Sequence, residues 1–230
     1  LPTAREVKEM FGRIAERYDR LNRVLSLGRD VHWRRRLAGS LAGLGFRNGL
    51  DLCCGTGDVS LELTRHLDGL ELLAAADFSL PMCRLARART GGTPVAVACA
   101  DGLALPFPDR AFDFVSVAFG VRNFEDLAAG LAEIARVVRP GGRVSILEFA
   151  PPTGLFLRLF YRPYLRLAVP LAGRLLAGSA GAYHYLSTSI QSFLTPEQML
   201  EALARAGFSD RGAQRLTLGV TYLYTGIRRE

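Results

Sequence analysis

Asp51-Leu52-Cys53-Cys54-Gly55-Thr56-Gly57-Asp58 decides how this chain of 230 residues is read. Residues 49–54 form a short apolar strand pattern that runs into a glycine turn, and residues 58–67 read as the helix that follows. A strand, a glycine turn and a helix start bring backbone N–H groups together where a ligand can rest on them. Gly55 and Gly57 permit the tight turn and a close backbone approach. The dinucleotide fingerprint G-x-G-x-x-G needs a third glycine, and Ser60 stands in its place, so a pyrophosphate seat is not supported. The carboxylate of Asp51, just ahead of the turn, suits a cationic or amino-bearing ligand better than a diphosphate. Taken alone, the stretch fits an ordinary strand–helix turn equally well.

Upstream, residues 3–45 read as helices. Val7, Met10, Phe11, Ile14 and Tyr18 fall near a 3.6-residue period, Trp33 and Leu37 continue it, and Gly45 ends it. Downstream, residues 71–76 form a strand ending at Asp77, and residues 80–89 a helix capped by Ser79. A strand over 94–99 precedes Asp101. Then come a strand over 113–119, a helix over 127–138, a tight turn at Pro140-Gly141-Gly142 and a strand over 143–149. Strands alternating with helices predict βαβ units and a parallel sheet covered on both faces. Residues 152–190 interrupt the alternation with an apolar, arginine-studded helical pattern. Thr195-Pro196-Glu197-Gln198 is a capping box with proline at the first helical position, and Gly207 stops that helix. Residues 213–218 and 220–227 are strands joined by a very short turn at Gly219, which requires an antiparallel pair.

Composition bounds the possibilities. Apolar types make up 49% of the residues, enough for a core and too many for a disordered chain. No run of 18 apolar residues is free of charge, and residues 1–20 lack a signal-like apolar stretch. The four cysteines include an adjacent pair and sit in apolar runs, which reads as reduced and cytoplasmic. The net charge is +7, and Lys8 is the single lysine among 29 basic residues. GC-rich coding or a hot habitat accounts for the arginine, as does attraction to an anionic surface, and charge alone does not separate them.

Two further carboxylates give the turn a ligand. Asp77 ends the second strand 20 residues after Gly57, where a carboxylate can accept both hydroxyls of a ribose. Asp101 follows the third strand, where it can accept an exocyclic amine of a base, with Gly102-Leu103 offering a flat surface to the ring. Together these features indicate adenosine without a diphosphate.

The motifs Asp51…Gly55-Thr56-Gly57, Asp77, Asp101, residues 105–109, Phe112-Asp113 and Arg139-Pro140-Gly141-Gly142 resemble class I S-adenosylmethionine (SAM) methyltransferases. Further blocks resemble the demethylmenaquinone/ubiquinone C-methyltransferase family. They are Phe11-x-x-Ile14-Ala15-x-x-Tyr18-Asp19-x-x-Asn22, Ala118-Phe119-Gly120-Val121-Arg122-Asn123, Glu148-Phe149 and Ala182-Tyr183-x-Tyr185-Leu186-x-x-Ser189-Ile190. These blocks span nearly the whole chain. Cys53 replaces the first glycine of the generic motif, Asp101-Gly102 stands where the family often has Asn-Ala, Ala118 replaces a frequent serine, and His184 takes a variable position.

The resemblance implies a Rossmann-like α/β fold with a seven-stranded, mostly parallel sheet whose last strand is antiparallel. It divides the single domain into an N-terminal helical lid (1–46), a SAM-binding core (47–150), a helical insertion toward substrate or membrane (151–192) and a C-terminal helix with a strand pair (193–230). It implies SAM as co-substrate, with no metal, held by Tyr18, Asp51, Gly55, Thr56, Gly57, Asp77, Phe78, Asp101 and Gly102. The implied reaction is methylation of a ring carbon of a polyprenylated hydroquinone, demethylmenaquinol foremost. The ubiquinone-precursor benzoquinol, another lipid or a small aromatic are the alternatives. The ring carbon gains nucleophilicity when its neighbouring hydroxyl ionises, so the site must bias that ionisation, and a fixed cation near the oxygen would do so. Arg122 is the candidate cation, with a salt bridge under the sheet as the alternative reading, and Asn123 is the candidate donor to the other oxygen. Glu148, Asp19, Tyr183, His184 or a water are candidate proton acceptors. Tyr18, Asn22 and Trp33 fit a lid closing over the donor, and Trp33 and Tyr18 fit core aromatics equally well.

The isoprenoid tail of such a substrate lives in a bilayer. Residues 155–176 carry Arg158, Arg162 and Arg166 on one helical face beside apolar residues, a pattern suited to the headgroup boundary. Pro163 and Pro170 break or kink the segment. A lid over the substrate pocket or a dimer face fits it equally well. Expected partners are therefore the isoprenoid hydroquinone, an anionic membrane touched peripherally from the cytoplasmic face, and a second copy of the chain. No RNA module is apparent, so nucleic acid is not expected.

Overall fold

The computed structural model describes residues 4–152, 159, 161 and 180–230. Most of the arginine-studded segment 155–176 therefore lies outside the described residues. Two helices, α1 (Ala4–Leu25) and α2 (Arg29–Gly39), precede the sheet. Next come β1 (Asn48–Leu52), α3 (Asp58–His66), β2 (Leu72–Asp77), α4 (Leu80–Arg89), β3 (Val95–Cys99) and β4 (Phe112–Ala118). A 3-10 turn (Val121–Asn123), α5 (Leu127–Val137) and β5 (Val138–Phe149) follow. The chain ends with α6 (Ala180–Ser192), α7 (Pro196–Arg205), β6 (Phe208–Leu216) and β7 (Thr221–Arg228).

The seven strands form one sheet in the order β3-β2-β1-β4-β5-β7-β6, with β7 antiparallel to both its neighbours and the other adjacent pairs parallel. Strand alternation sorts side chains between the two faces. Leu50, Leu52, Val115, Val117, Val144 and Ile146 join Leu131 and Ile134 of α5 and Met199 and Leu203 of α7 in one buried layer. On the other face Leu73, Phe114, Leu147 and Leu223 pack with Leu37 and Leu41 and with Leu63 of α3. The chain order reverses between β1 and β4, so the loops after β1, β2 and β4 converge at the carboxyl edge of the sheet.

Three boundaries differ from the sequence reading. Helix α2 ends at Gly39, because Gly43 and Gly45 both hold positive φ and carry the chain through a turn. Pro140-Gly141-Gly142 lies inside β5, where the register slips between the pairs Phe112–Val138 and Phe114–Arg143, so it forms a bulge instead of a separate turn. β6 starts at Phe208, directly after Gly207, earlier than the alternation of apolar residues suggested. The capping box at Thr195 and Gln198 is present as read.

Candidate active site

Asp77 organises the glycine turn. It is buried at the end of β2, its Oδ2 accepts the Gly55 N–H at 2.9 Å, and its Oδ1 accepts the Ser79 N–H at 2.9 Å. One carboxylate thus fixes both the turn after β1 and the entry to α4. Ser79 was expected to cap α4 with its own side chain. Instead its Oγ is buried and has no hydrogen-bond partner among the described residues. The two glycines of the turn have separate jobs. Gly55 (φ 54°) has open space on the side where a Cβ would project, whereas at Gly57 a Cβ would lie 3.4 Å from the Ala86 backbone of α4.

The residue before them carries strain. Cys53, in the place of the generic first glycine, holds φ 58°, and Phe119 across the site holds φ 57°. Left-handed backbone is unfavourable for residues with a Cβ and persists where the surroundings enforce it. Gly120 makes room for the Cys53 side chain: a Cβ on Gly120 would lie 2.4 Å from Cys53 Cβ and 2.5 Å from its Sγ.

These elements border an open cleft whose empty space, counting the part continuous with solvent, is about 830 Å³. Of the residues expected to bind the cofactor, Tyr18, Gly55, Asp77, Phe78, Asp101 and Gly102 line it, and Asn123 joins them from the 3-10 turn. Cys53, Phe119, Phe124 and Glu125 also line it, although sequence reasoning passed over them as ligands. Phe124 rests on Gly102, where a Cβ would lie 2.9 Å from its ring. That contact explains why Gly102 suits this chain.

Asp51, Thr56 and Gly57 do not line the cavity. Asp51 faces α3, where its Oδ2 accepts Ser60 Oγ at 2.6 Å and its Oδ1 accepts Ser116 Oγ at 3.0 Å. Ser60, noticed only as a missing glycine, is thus the partner of a buried carboxylate. Burial pushes the Asp51 carboxyl up to about 6, against the pull of both hydroxyls. Thr56 Oγ1 donates to Asp19, which also accepts from Arg89 at 2.7 Å. Asp19 therefore ties α1 to the glycine turn and to α4, and its neighbour Tyr18 reaches the cavity wall. Of the two readings of Trp33, lid or core, the core one holds: it is 3% exposed, its Nε1–H donates to Thr217 Oγ1, and its ring meets Phe119 and Phe149.

The expected catalytic residues form a second cluster beside the cavity. Arg122 and Glu148 make an ion pair at 2.8 Å, with side chains 3% and 0% exposed. Arg122 also donates to the Phe119 carbonyl, and its Nε–H has no acceptor among the described residues. Burial opposes the Arg122 charge, but Glu148 more than restores it, so the guanidinium stays cationic. Burial lifts the Glu148 carboxyl above its ordinary range, against the pull of Arg122. Tyr185 donates to Asn123 Oδ1 at 2.9 Å. The backbone of Tyr183 lies in α6, and its side chain falls outside the described groups.

Comparison with known proteins places this arrangement. The model of the ubiE/COQ5 methyltransferase family matches residues 2–228. The demethylmenaquinone methyltransferase of Thermus thermophilus is 46% identical over 221 residues, covering 95% of this chain and 100% of that protein. The enzyme of the same name from Deinococcus radiodurans is 43% identical, covering 97% and 92%. The ubiquinone/menaquinone biosynthesis C-methyltransferase UbiE of Geobacter sulfurreducens is 39% identical, covering 96% and 87%. Among solved structures, the [4+2]-cyclase SpnF superposes with a TM-score of 0.71 at 18% identity, covering 99% of this chain and 97% of that one. A SAM-dependent methyltransferase of Thermotoga maritima gives 0.69 at 17%, covering 96% and 99%. These two likenesses concern the fold alone. The chain belongs to the ubiE/COQ5 methyltransferase family.

Proposed function

We propose that this member of the family transfers a methyl group from SAM to a ring carbon of a polyprenylated hydroquinone, converting demethylmenaquinol to menaquinol. The observation that carries the reading is one cavity whose lining combines two kinds of chemistry. Asp77, Asp101 and the open face of Gly55 line it together with Asn123 and with Tyr18, which interacts electrostatically with the buried Arg122. Asp77, Asp101 and Gly55 fit the nucleoside half of SAM: carboxylates for hydroxyls and an amine, and a turn that leaves room for backbone approach. When bound, SAM supplies an already activated methyl on a sulfonium.

The remaining work falls to the chain's own residues. Arg122 cannot lose its proton under ordinary conditions, so it acts as a fixed cation that favours the ionised quinol. Asn123 donates to a quinol oxygen. Glu148 is already engaged by Arg122 and by the Phe149 N–H at 2.9 Å, so its part is to hold the guanidinium in place. Asp19, through Thr56 and Arg89, sets α1 so that Tyr18 closes the cavity wall. Alignment of methyl and carbon within this wall supplies much of the rate, since oriented intramolecular reactions reach effective molarities of about 10⁵ M or more. The test is incubation with labelled SAM and either a reduced demethylnaphthoquinol or a benzoquinol, with and without reductant. Mass analysis should find the methyl on the naphthoquinol, and only while it is reduced. Equal turnover of the oxidised quinone overturns the mechanism.

We also propose peripheral contact with an anionic membrane, because the tail of such a substrate is held in lipid. No helix among the described residues is long and apolar enough to cross a bilayer. Leu27 and Leu218, 86% and 63% exposed, stand at turns, with Arg23, Arg29 and Arg215 close by in sequence and exposed. Binding to anionic vesicles that weakens with salt supports this contact, and equal indifference to anionic and neutral vesicles removes it.

A further inference from the structure

We propose that Tyr185 is a positioning residue for methyl transfer: its phenol fixes the Asn123 amide so that an N–H, and not the oxygen, is what the side chain offers to the substrate. This rests on the reading of the chain as a quinol C-methyltransferase. Tyr185 belongs to α6 and Asn123 to the 3-10 turn after β4, 62 residues apart, and the Tyr185 hydroxyl donates to Asn123 Oδ1 at 2.9 Å. An amide has one accepting end and one donating end of nearly equal size, so packing alone does not choose between its two orientations. A protonated phenol can give a hydrogen to Oδ1 or take one from Nδ2, so the Phe119 carbonyl, which only accepts, selects the Nδ2 end, and the Tyr185 hydroxyl donates to Oδ1 and holds the amide there. Burial raises the Tyr185 phenol above its ordinary value, against the pull of Arg122, and so keeps that proton in place. On the other end, one Nδ2 hydrogen points toward the Phe119 carbonyl at 3.5 Å, the outer limit of a hydrogen bond. The second N–H is what Asn123 can present to the cavity it lines.

The orientation matters because the two ends of the amide have opposite effects on the reaction. A donor beside the quinol oxygen favours the ionised form, whose ring carbon is nucleophilic. An acceptor favours the neutral hydroxyl, whose ring carbon is not. Rotation of one side chain would therefore convert a catalytic group into an inhibitory one without changing the shape of the cavity. Among the described residues, the other ionisable groups around this point are Arg122, Glu148, Tyr18 and Cys53, which interact electrostatically with one another or with Tyr185, and Glu125 on the cavity wall.

The test compares wild type, Tyr185→Phe, Asn123→Ala and the double variant, using SAM and a short-tailed reduced demethylnaphthoquinol. Tyr185→Phe should lower kcat by about ten-fold, less than outright loss of an oxyanion donor brings. Its KM for the quinol should stay within about three-fold, since the ground-state contacts remain. SAM affinity should be unchanged. The acidic limb of the kcat–pH profile should move to higher pH, because the bound quinol ionises less readily. Tyr185→Phe should add no further loss to Asn123→Ala, as the two act through one group. An unmoved acidic limb, or losses that multiply in the double variant, overturns the role. Asn123→Asp keeps the test open if Tyr185→Phe fails to fold: a carboxylate offers no donor whichever way it turns, so the limb must again rise, and an unmoved limb sinks the proposal. A wild-type protein that methylates no quinol overturns the function and this role together. An active wild type with an unaltered Tyr185→Phe removes the role alone.

Discussion

Substituting Gly120→Ala should unfold or greatly weaken the site, and substituting Cys53→Gly in the same chain should restore it. Gly120 holds φ −113°, an ordinary value, so alanine meets no backbone strain there. The obstacle is Cys53, whose Cβ would lie 2.4 Å from the new methyl. Both carbons are attached to backbone, so neither can swing away, and a contact more than an ångström too close costs about 3 kcal/mol or more. Cys53→Gly alone relieves a left-handed residue at about 1–2 kcal/mol. It loses about 0.5–1 kcal/mol to backbone entropy and some buried side chain, so its net effect should be small. In the double variant the methyl added at position 120 occupies space that the Cys53 side chain has left, with Val117 Cγ1 at 3.2 Å as the remaining tight neighbour. The coupling energy should therefore be at least about 2 kcal/mol, well above the scatter of independent sites. Urea denaturation of the four proteins measures it, with SAM affinity as a second readout at the cavity wall. If Gly120→Ala costs as much in the Cys53→Gly background as in wild type, the steric pairing is refuted.

Three other perturbations test the cavity from different sides. Asp77→Asn, which still accepts one backbone N–H, should fold and lose SAM affinity by about 100-fold, the worth of one or two charge-assisted hydrogen bonds; calorimetric titration with SAM checks this. Arg122→Gln combined with Glu148→Gln should bind SAM normally and lose turnover. Arg122→Ala alone would leave the buried Glu148 carboxylate unpaired and cost about 3–5 kcal/mol of stability, so the double variant separates catalysis from folding. Asp51→Asn should flatten part of the stability–pH curve. The folded carboxyl titrates at about 6 against an ordinary 3.8, so its favourable contribution is complete below about pH 4 and is lost as pH rises through 6. Two pKa units correspond to about 3 kcal/mol, so the variant should gain up to that amount at pH 7 and little at pH 4, as read by urea melts at both values.

The alternation of strands and helices was legible because both periods are written locally. β1, β2, β4 and the α7 capping box need only their own residues to be recognised. The antiparallel close was legible for the same reason, since a turn as short as the one at Gly219 allows no crossover. Tertiary partners left weaker traces. Trp33 sits in a sequence block that suggested a lid, but a large ring between Phe119 and Phe149 is better satisfied in the core. Thr56 looked like part of the ligand turn, and only the path of α1 reveals that Asp19 takes its hydroxyl. The pairing of Cys53 with Gly120 spans two strand ends, and sequence showed only the odd cysteine, not the glycine that admits it.

Arg122 and Glu148 illustrate where sequence reasoning about a site stops. Each stands near the end of a strand that points at the cavity, so each looked available, one as a cation and one as a base. Both positions are also deeply buried, and two opposite charges removed from water at neighbouring strand ends stabilise each other more than either could stabilise itself alone. The pair therefore forms before any ligand arrives, and its consequence for chemistry is asymmetric. The carboxylate, with both oxygens engaged by the Arg122 side chain, the Arg122 N–H and the Phe149 N–H, has little left for a proton from the substrate. The guanidinium has five N–H groups and keeps an Nε–H without an acceptor among the described residues. Burial raises the affinity of Glu148 for a proton, but its oxygens are already engaged, whereas the cation keeps a free N–H direction among the described residues. On the proposed function, Glu148 therefore serves to hold Arg122, and the quinol oxygen is served by the donor that Tyr185 and Phe119 hold still.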